Sequence, residues 1–228
     1  MQHTIQYKTE FEYPGDIVWA CAAAATRING GYRRATDNNT DVHPANRALI
    51  LQFLESYRSN TLRKTQVTDD DYDDGKRAQD YWQSQVLTLL DDNANGYLRA
   101  CTAVAHKEKI NEIKDFGVIA SAVQAAYREF NNARLIKLKN SINSQHIHSI
   151  GVRVEFDCVI DVIDTNYIDK IGVFAIESIV EGNLYTWWSK TRIESRKYSF
   201  LKGRVKQLKL DYRTNQPVTQ LNYVKVSK

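Results

Sequence analysis

The feature that most constrains the fold of this chain is a change in the period of its apolar residues near residue 150. Before this point apolar residues recur at spacings of three and four, as on the buried face of a helix. From Gly151 onward they recur at every second position, as in a half-buried strand. The pattern predicts an α+β protein with a mainly helical domain over residues 1–145 and a β domain over residues 150–228.

Helical segments follow one another through the first domain. Alanine-rich residues 17–28 predict a helix with Asp16 as its N-cap, and Asn29-Gly30-Gly31 supplies residues that close a helix. The acidic run Thr68–Gly75 lacks the central glycine and closing glutamate of a calcium-binding loop, so we interpret it as a solvated helix start. The other predicted elements are a short strand or extended arm over 2–13, a polar loop over 33–43, helices near 49–57, 81–90, 96–104 and 117–138, and a turn at 114–117.

The second domain contains five predicted strands in about 80 residues, with an interruption between the third and the fourth. This number and spacing match a five-stranded Greek-key barrel of the OB type better than a sandwich of seven or more strands. The predicted strands cover residues 152–163, 172–179, 184–189, 200–206 and 219–226, with polar loops at 164–170 and 211–217 and a connector at 190–199.

The composition and the N-terminal residues of the chain predict where in the cell the protein is found. The chain is 43% apolar and 25% charged, and it has no apolar run near the ~20 residues that cross a membrane. Its N-terminus shows no pattern of a secretory signal, so we expect a cytoplasmic protein without a membrane partner. The three cysteines, Cys21, Cys101 and Cys158, are far apart in apolar surroundings and are predicted to be buried thiols.

Positive charge is concentrated in the last part of the chain. Residues 190–228 contain 11 basic and 2 acidic residues, whereas residues 150–189 contain 2 basic and 7 acidic residues. The first 149 residues are balanced, with 18 of each sign. Such local concentration is what binding to a polyanion requires, although a solvated basic surface has the same composition.

Short stretches at both ends of the chain resemble a known family. The segments Trp19–Tyr32, Lys114–Ser121, Leu201–Lys206 and Thr219–Val226 resemble parts of phage-encoded, replication-associated proteins with a helical front and an OB-fold of the single-stranded-DNA-binding type. The resemblance implies the same two-part organisation and a viral or replicative setting, in which the protein would act in the cytoplasm of the host cell. It implies no particular activity.

OB barrels bind single strands on the face of the second and third strands and on the loops after the first and fourth. Aromatic rings at these places can stack on any base, while cations hold the phosphates. Alternation puts Tyr185 and Trp187 on one face of the third strand and Trp188 on the other, so at least one of these rings should fill the core. The predicted interface consists of Tyr167, Phe174, Tyr185, Trp187, Trp188, Lys190, Arg192, Lys202, Arg204, Lys206, Tyr212 and Arg213.

Three cations of this set, Lys202, Arg204 and Lys206, alternate along one predicted strand and so point the same way. A row of like charges is unfavourable without a counter-charge, so an anionic partner explains it. The alternative is a solvated strand edge on which lysines oppose aggregation.

Catalytic signatures are missing from the sequence, which has no phosphate-binding loop, nucleophile elbow or zinc-protease motif. His146 and His148 could supply two metal ligands, but no third stands at a supporting distance. We therefore predict a non-catalytic protein without metal or cofactor that binds single-stranded DNA, with RNA as the alternative ligand, in phage replication or recombination. The competing hypotheses are a self-associating or partner-binding scaffold of replication or virion assembly, docking through Thr68–Gly75, and an accessory nuclease.

Overall fold

The computed structural model describes residues 8–34, 44–90 and 95–227. These residues form five α-helices, one 3-10 helix and seven strands, and the helices precede a closed five-stranded barrel. The α+β class and the barrel are confirmed. The chain divides into two compact units, Met1–Phe130 and Asn131–Lys228, and the division falls within the last helix. The domain limits inferred from the apolar period stay a prediction.

The helical unit is built around its first helix, which is buried along most of its length. Alanines on this helix let neighbouring backbones approach closely, and a Cβ added at Gly75 would lie 2.6 Å from the carbonyl carbon of Trp19. The elements are β1 (Lys8–Pro14), α1 (Gly15–Asn29), α2 (Asn46–Arg58), α3 (Asp69–Ser84), a 3-10 helix (Gln85–Leu90), α4 (Gly96–Ala105), β2 (Lys109–Glu112) and the first part of α5 (Ile113–Asn140).

Two local predictions for this unit were wrong, and one strand was missed. Asp16 does not cap α1, which begins one residue earlier. Strand β2 was not predicted, and it pairs antiparallel with β1. Residues 114–117 are helical rather than a turn, because the buried carboxylate of Asp115 accepts a hydrogen bond from Lys107 at 2.6 Å and lies in the first turn of α5, where negative charge is favourable. Residues 2–7 of the predicted strand and 35–43 of the predicted loop lie outside the described residues.

The acidic run forms the start of α3, as interpreted from the sequence. Thr68 is the N-cap, and its side chain and that of Asp71 exchange hydrogen bonds with each other's backbone N–H in a capping box. Asp71 is nearly fully buried and also accepts hydrogen bonds from Nε and Nη2 of Arg27, at 2.9 and 2.8 Å. Because Asp71 is engaged inside its own unit, it does not contribute to a docking surface.

The barrel has the strand order β3-β4-β5-β7-β6, and β6 pairs with β3 to close it. All neighbouring strands are antiparallel except β5 and β7, which are parallel. This is the five-stranded Greek-key barrel of OB type expected from the sequence. The strands are β3 (Arg153–Ile168), β4 (Val173–Val180), β5 (Asn183–Ser189), β6 (Lys197–Leu210) and β7 (Pro217–Ser227).

Two strands are longer than the sequence predicted. Residues 164–168, predicted as a loop, extend β3, because they pair in register with β4 up to Ile168 opposite Val173. Strand β6 begins at Lys197 and continues to Leu210, where it pairs with Pro217. Apart from Tyr167 and Leu210, the exposed positions of the two extensions are polar, so their composition resembles that of a loop even though the backbone is paired.

The end of α5 packs on the outer surface of the barrel. Leu135 is buried there against Leu184 of β5 and Val218 of β7. The segment that follows the helix is tied to the same two strands, because the Ser144 hydroxyl accepts a hydrogen bond from the Leu184 N–H and donates one to the Pro217 carbonyl. The helix therefore covers the first half of β5 and leaves the second half uncovered. No helix within the described residues is long and apolar enough to cross a bilayer.

Candidate nucleic-acid interface

A groove of about 360 Å³ lies on the outer face of β4 and β5, beside the point where α5 ends. Ala175 and Glu177 of β4 and Thr186 of β5 face outward into it. Trp188 and Tyr212 also line the groove. This is the surface on which OB barrels hold single strands, so the groove is the candidate site of the barrel.

Strand β5 divides its aromatic residues between the two faces. Tyr185 and Trp187 are each 1% exposed and belong to the barrel core, whereas Trp188 is 55% exposed on the outside. The Tyr185 ring packs edge-on against Phe156 at 5.3 Å, and burial raises the pKa of Tyr185 to about 12. The expectation that at least one of the three rings fills the core is confirmed. Tyr185 and Trp187 were both predicted for the interface, but their rings lie in the core and have no face free to stack on a base, although Tyr185 is among the residues that line the groove.

The two exposed rings of the groove each lie beside a cation. The Lys206 Nζ is 5.4 Å from the centroid of the Trp188 ring, and the Arg213 Cζ is 5.0 Å from that of Tyr212. Tyr212 is the most open of these rings, at 80% exposure. Lys209, which was not in the predicted set, also lines the groove. Stacking surfaces and positive charges therefore stand side by side here, as binding to a single strand requires.

The loop that carries Tyr212 and Arg213 is fixed by Asp211. Its Oδ1 accepts hydrogen bonds from the backbone N–H groups of Arg213 and Thr214, at 3.1 and 3.0 Å, and from the Thr214 hydroxyl. Its Oδ2 accepts a hydrogen bond from Nζ of Lys139, at 2.8 Å. The turn is thereby attached to α5 and holds its aromatic and basic side chains beside the groove.

Lys139 lies at the inner end of the groove and is only 2% exposed. Its Nζ is 2.8 Å from Asp211 Oδ2 and 2.7 Å from Glu177 Oε2. Burial lowers the pKa of Lys139, but the hydrogen bonds with Asp211 and Glu177 outweigh burial and leave the pKa raised. Burial likewise raises the pKa of Asp211, but the hydrogen bonds from Lys139 and Thr214 outweigh it and leave the pKa lowered. Lys139 and Asp211 are therefore both charged at neutral pH.

The predicted row of cations on β6 is partly neutralised within the barrel. Lys202 lies opposite Glu155 of β3 and forms an ion pair with it at 2.5 Å. The Arg204 Nε donates a hydrogen bond to the Gly151 carbonyl at 2.8 Å. The inference that this row lacks a counter-charge was wrong for Lys202, because the sequence does not show which residue lies across the strand pair. Of the three cations, only Lys206 contacts a ring of the groove.

The other predicted residues lie away from the groove lining. Tyr167 is on β3 rather than in a loop, and its half-exposed ring is 4.9 Å from that of Phe174, which packs against the barrel core. Lys190 and Arg192 are exposed in the connector between β5 and β6. The structure thus brings together Trp188, Lys206, Tyr212 and Arg213 from the predicted set and adds Lys139, Glu177, Thr186 and Lys209.

Other chemistry suggested by single residue types finds no support in the described part of the chain. No group of three His, Cys, Asp or Glu side chains there could hold a metal ion. The His148 ring packs against Phe156 and Tyr185. Cys21 and Cys101 are buried, and burial raises their pKa to about 12 and about 11, whereas Cys158 is only partly buried, contrary to the prediction.

Comparison with protein-family models, with curated proteins and with solved structures found no significant match. The resemblance to phage replication proteins therefore stays a prediction. The function must be inferred from the geometry of the groove, since the OB-type barrel alone is compatible with several activities.

Proposed function

We propose that the barrel binds single-stranded DNA in the groove between β4, β5 and the β6–β7 loop. The observation that carries this proposal is the pair of exposed rings, Trp188 and Tyr212, which line one groove and each lie beside a cation. A place in phage DNA replication or recombination, in the cytoplasm of the host, is part of the proposal and rests on the sequence resemblance alone.

Stacking and charge supply different parts of the expected affinity. Each base stacked on an aromatic ring contributes about 1 to 3 kcal/mol, and Trp188 and Tyr212 offer two such surfaces. Lys206, Lys209 and Arg213 would contact phosphates, which releases counterions and makes the affinity fall as salt rises. Because every base has a face that can stack, we expect little preference for sequence.

The first test removes the rings. Trp188→Ala and Tyr212→Ala should each weaken binding of a fluorescein-labelled oligothymidylate of about 16 nucleotides by about tenfold or more, measured by anisotropy in low salt. Tyr57→Ala is the matched control, because this tyrosine is also exposed but lies on α2 of the helical unit. An oligouridylate of the same length serves as the RNA arm, and tighter binding of RNA would overturn the choice of DNA.

The second test removes charge. Lys209→Glu should weaken binding and lower the slope of log affinity against log salt by about one, as expected when one phosphate contact is lost. Lys137→Glu makes the same change at an exposed position on α5 and should have a smaller effect on both quantities. The proposal fails if the wild-type protein does not bind the oligonucleotide in dilute salt, or if the groove variants behave as their controls do.

A further inference from the structure

Strand β7 contains a bulge in its second half. The register with β6 shifts there, and Gly203 of β6 faces two residues of β7, Tyr223 and Val224. Val224 packs against the barrel core, whereas Tyr223 lies on the outside and is 82% exposed. This is the largest exposed fraction among the large apolar side chains of the described residues. The bulge therefore presents one ring to solvent.

The backbone of Tyr223 is in the left-handed region, with φ of 53°. Glycine is the usual residue at this position of a bulge, because a side chain there crowds its own backbone. Asparagine tolerates the conformation, as Asn60 and Asn215 do elsewhere in the chain, but a bulky ring is an outlier. Because little of the Tyr223 ring is buried, packing inside the barrel does not offset this strain. Backbone strain that the fold does not require is concentrated at binding sites.

The bulge continues the surface that begins at Trp188 in the groove. Strand β7 lies between β5 and β6, yet Nζ of Lys206 on β6 is 5.4 Å from the centroid of the Trp188 ring on β5. These two side chains therefore meet over the outer face of β7. The parallel register of β5 and β7 pairs Thr186 with Gln220, so two residues further on Trp188 is level with the residue before Tyr223. The exposed rings thus follow one another from the groove onto β7.

We propose that Tyr223 is a third stacking surface for single-stranded DNA, which leaves the groove past Trp188 and crosses β7. This inference rests on the proposed function of the groove and lengthens the path of the strand. An open aromatic ring can stack on any base, and Lys206 would hold the phosphates between the bases on Trp188 and Tyr223. The outward residues beside the ring, Asn222 and Lys225, are polar, so the ring is not part of an apolar patch of the kind that protein partners bury.

Tyr223→Gly in the full chain tests the site with two labelled oligothymidylates, of about 5 and about 16 nucleotides, because OB barrels hold roughly 4 to 16 nucleotides. By anisotropy, the variant should bind the longer strand about fivefold or more weakly than wild type and the shorter strand, which the groove alone can hold, equally well. Trp188→Ala should weaken binding of both strands. Because glycine relieves the left-handed strain, Tyr223→Gly should also raise Tm, by about 2 °C.

Asn60→Gly is the matched control, because Asn60 has a similar φ of 55° but lies in the helical unit and carries no ring, so both affinities should stay at the wild-type value. Tyr223→Phe restores the ring and should recover the affinity that Tyr223→Gly loses. The inference is overturned if Tyr223→Gly binds the longer strand as tightly as wild type, or if its Tm falls, which would make the ring part of the fold. In either case wild-type binding of the shorter strand leaves the groove proposal standing. Failure of the wild type to bind either strand overturns both proposals.

Discussion

The helical unit and the barrel each contain a nearly fully buried aspartate that organises the backbone around it. In the helical unit, Asp71 caps α3 together with Thr68 and accepts two hydrogen bonds from Arg27. In the barrel, Asp211 shapes the β6–β7 loop and accepts a hydrogen bond from Lys139. In both cases hydrogen bonds from the cation and from backbone N–H groups outweigh the effect of burial and lower the pKa of the carboxyl group.

The two sites differ in whether water reaches the cation. The Arg27 side chain is 46% exposed, whereas that of Lys139 is 2% exposed and also lies 2.7 Å from Glu177. When an exposed partner is removed, solvent can take over part of its role, so the pair contributes little net stability. Removal of a sealed partner leaves buried charge without compensation. The ion pair should therefore contribute less to stability in the helical unit than in the barrel.

The largest effect is expected from Lys139→Met. It leaves Asp211 and Glu177 facing one another without a cation, and breaking a buried pair in this way typically destabilises by about 3 to 5 kcal/mol. The free energy of unfolding is measured by urea denaturation. Lys137→Met is the control, because this lysine is exposed on the same helix and its replacement should change stability by less than about 0.5 kcal/mol. Equal effects of the two variants would show that the buried ion pairs do not hold the loop in place.

A smaller loss is expected from Arg27→Met. Asp71 keeps its hydrogen bonds from the N–H and hydroxyl of Thr68, and water can reach the vacated side, so we expect about 1 to 2 kcal/mol after allowing for solvent screening. Urea denaturation under the same conditions measures this loss in the free energy of unfolding. Lys64→Met, at a 90% exposed position of the same unit, should be close to neutral. A loss as large as that of Lys139→Met would remove the distinction between the two sites.

The pH dependence separates the two cations. Lys139 has a raised pKa in the folded protein. Its contribution to the free energy of unfolding is therefore complete below the unfolded-state pKa of about 10.4 and is lost as the pH rises through the folded-state pKa. Arginine stays protonated throughout this pH range, so the contribution of Arg27 to the free energy of unfolding does not change. The difference in unfolding free energy between wild type and Lys139→Met should therefore shrink above about pH 10.4, while that for Arg27→Met should not.

Both aspartates should act alike in acid. Each aspartate has a lowered pKa in the folded protein. Its contribution to the free energy of unfolding is therefore complete above the unfolded-state pKa of about 3.9 and is lost as the pH falls toward the folded-state pKa. Asp71→Asn and Asp211→Asn should each make the unfolding free energy less dependent on pH below about pH 4. A variant that keeps the full wild-type slope in acid would contradict the assignment for that carboxyl group.

The barrel was predictable because its signal is local. Alternation along residues 152–226 requires only that side chains point to opposite faces of a strand, and the same rule separated Trp188 from Trp187. The structure confirmed the five strands and their order of appearance. The paired extensions of β3 and β6 were missed because polar outward residues make a strand resemble a loop in composition.

The groove was only partly predictable because it depends on partners far apart in the chain. Glu155 neutralises Lys202 across 47 positions, and Asp211 meets Lys139 across 72. Such pairs follow from register and packing, which no local pattern contains. One signal for Lys139 was nevertheless present: it stands on the apolar stripe that includes Leu135, Leu138 and Ile142, a position at which an unpaired lysine would be unfavourable.

Salt should produce the smallest difference between the two sites. A double-mutant cycle with Arg27→Met and Asp71→Asn measures the coupling of the exposed pair, and raising NaCl from 0.1 to 1 M should lower it by a few tenths of a kcal/mol, because the screening length falls from about 10 to about 3 Å. The coupling from the corresponding cycle with Lys139→Met and Asp211→Asn should change less, since these two side chains are only 2% and 5% exposed. If salt lowered both coupling energies equally, water would have to reach Lys139 in solution. The loop that carries Tyr212 would then be held less firmly beside the groove than its hydrogen bonds indicate.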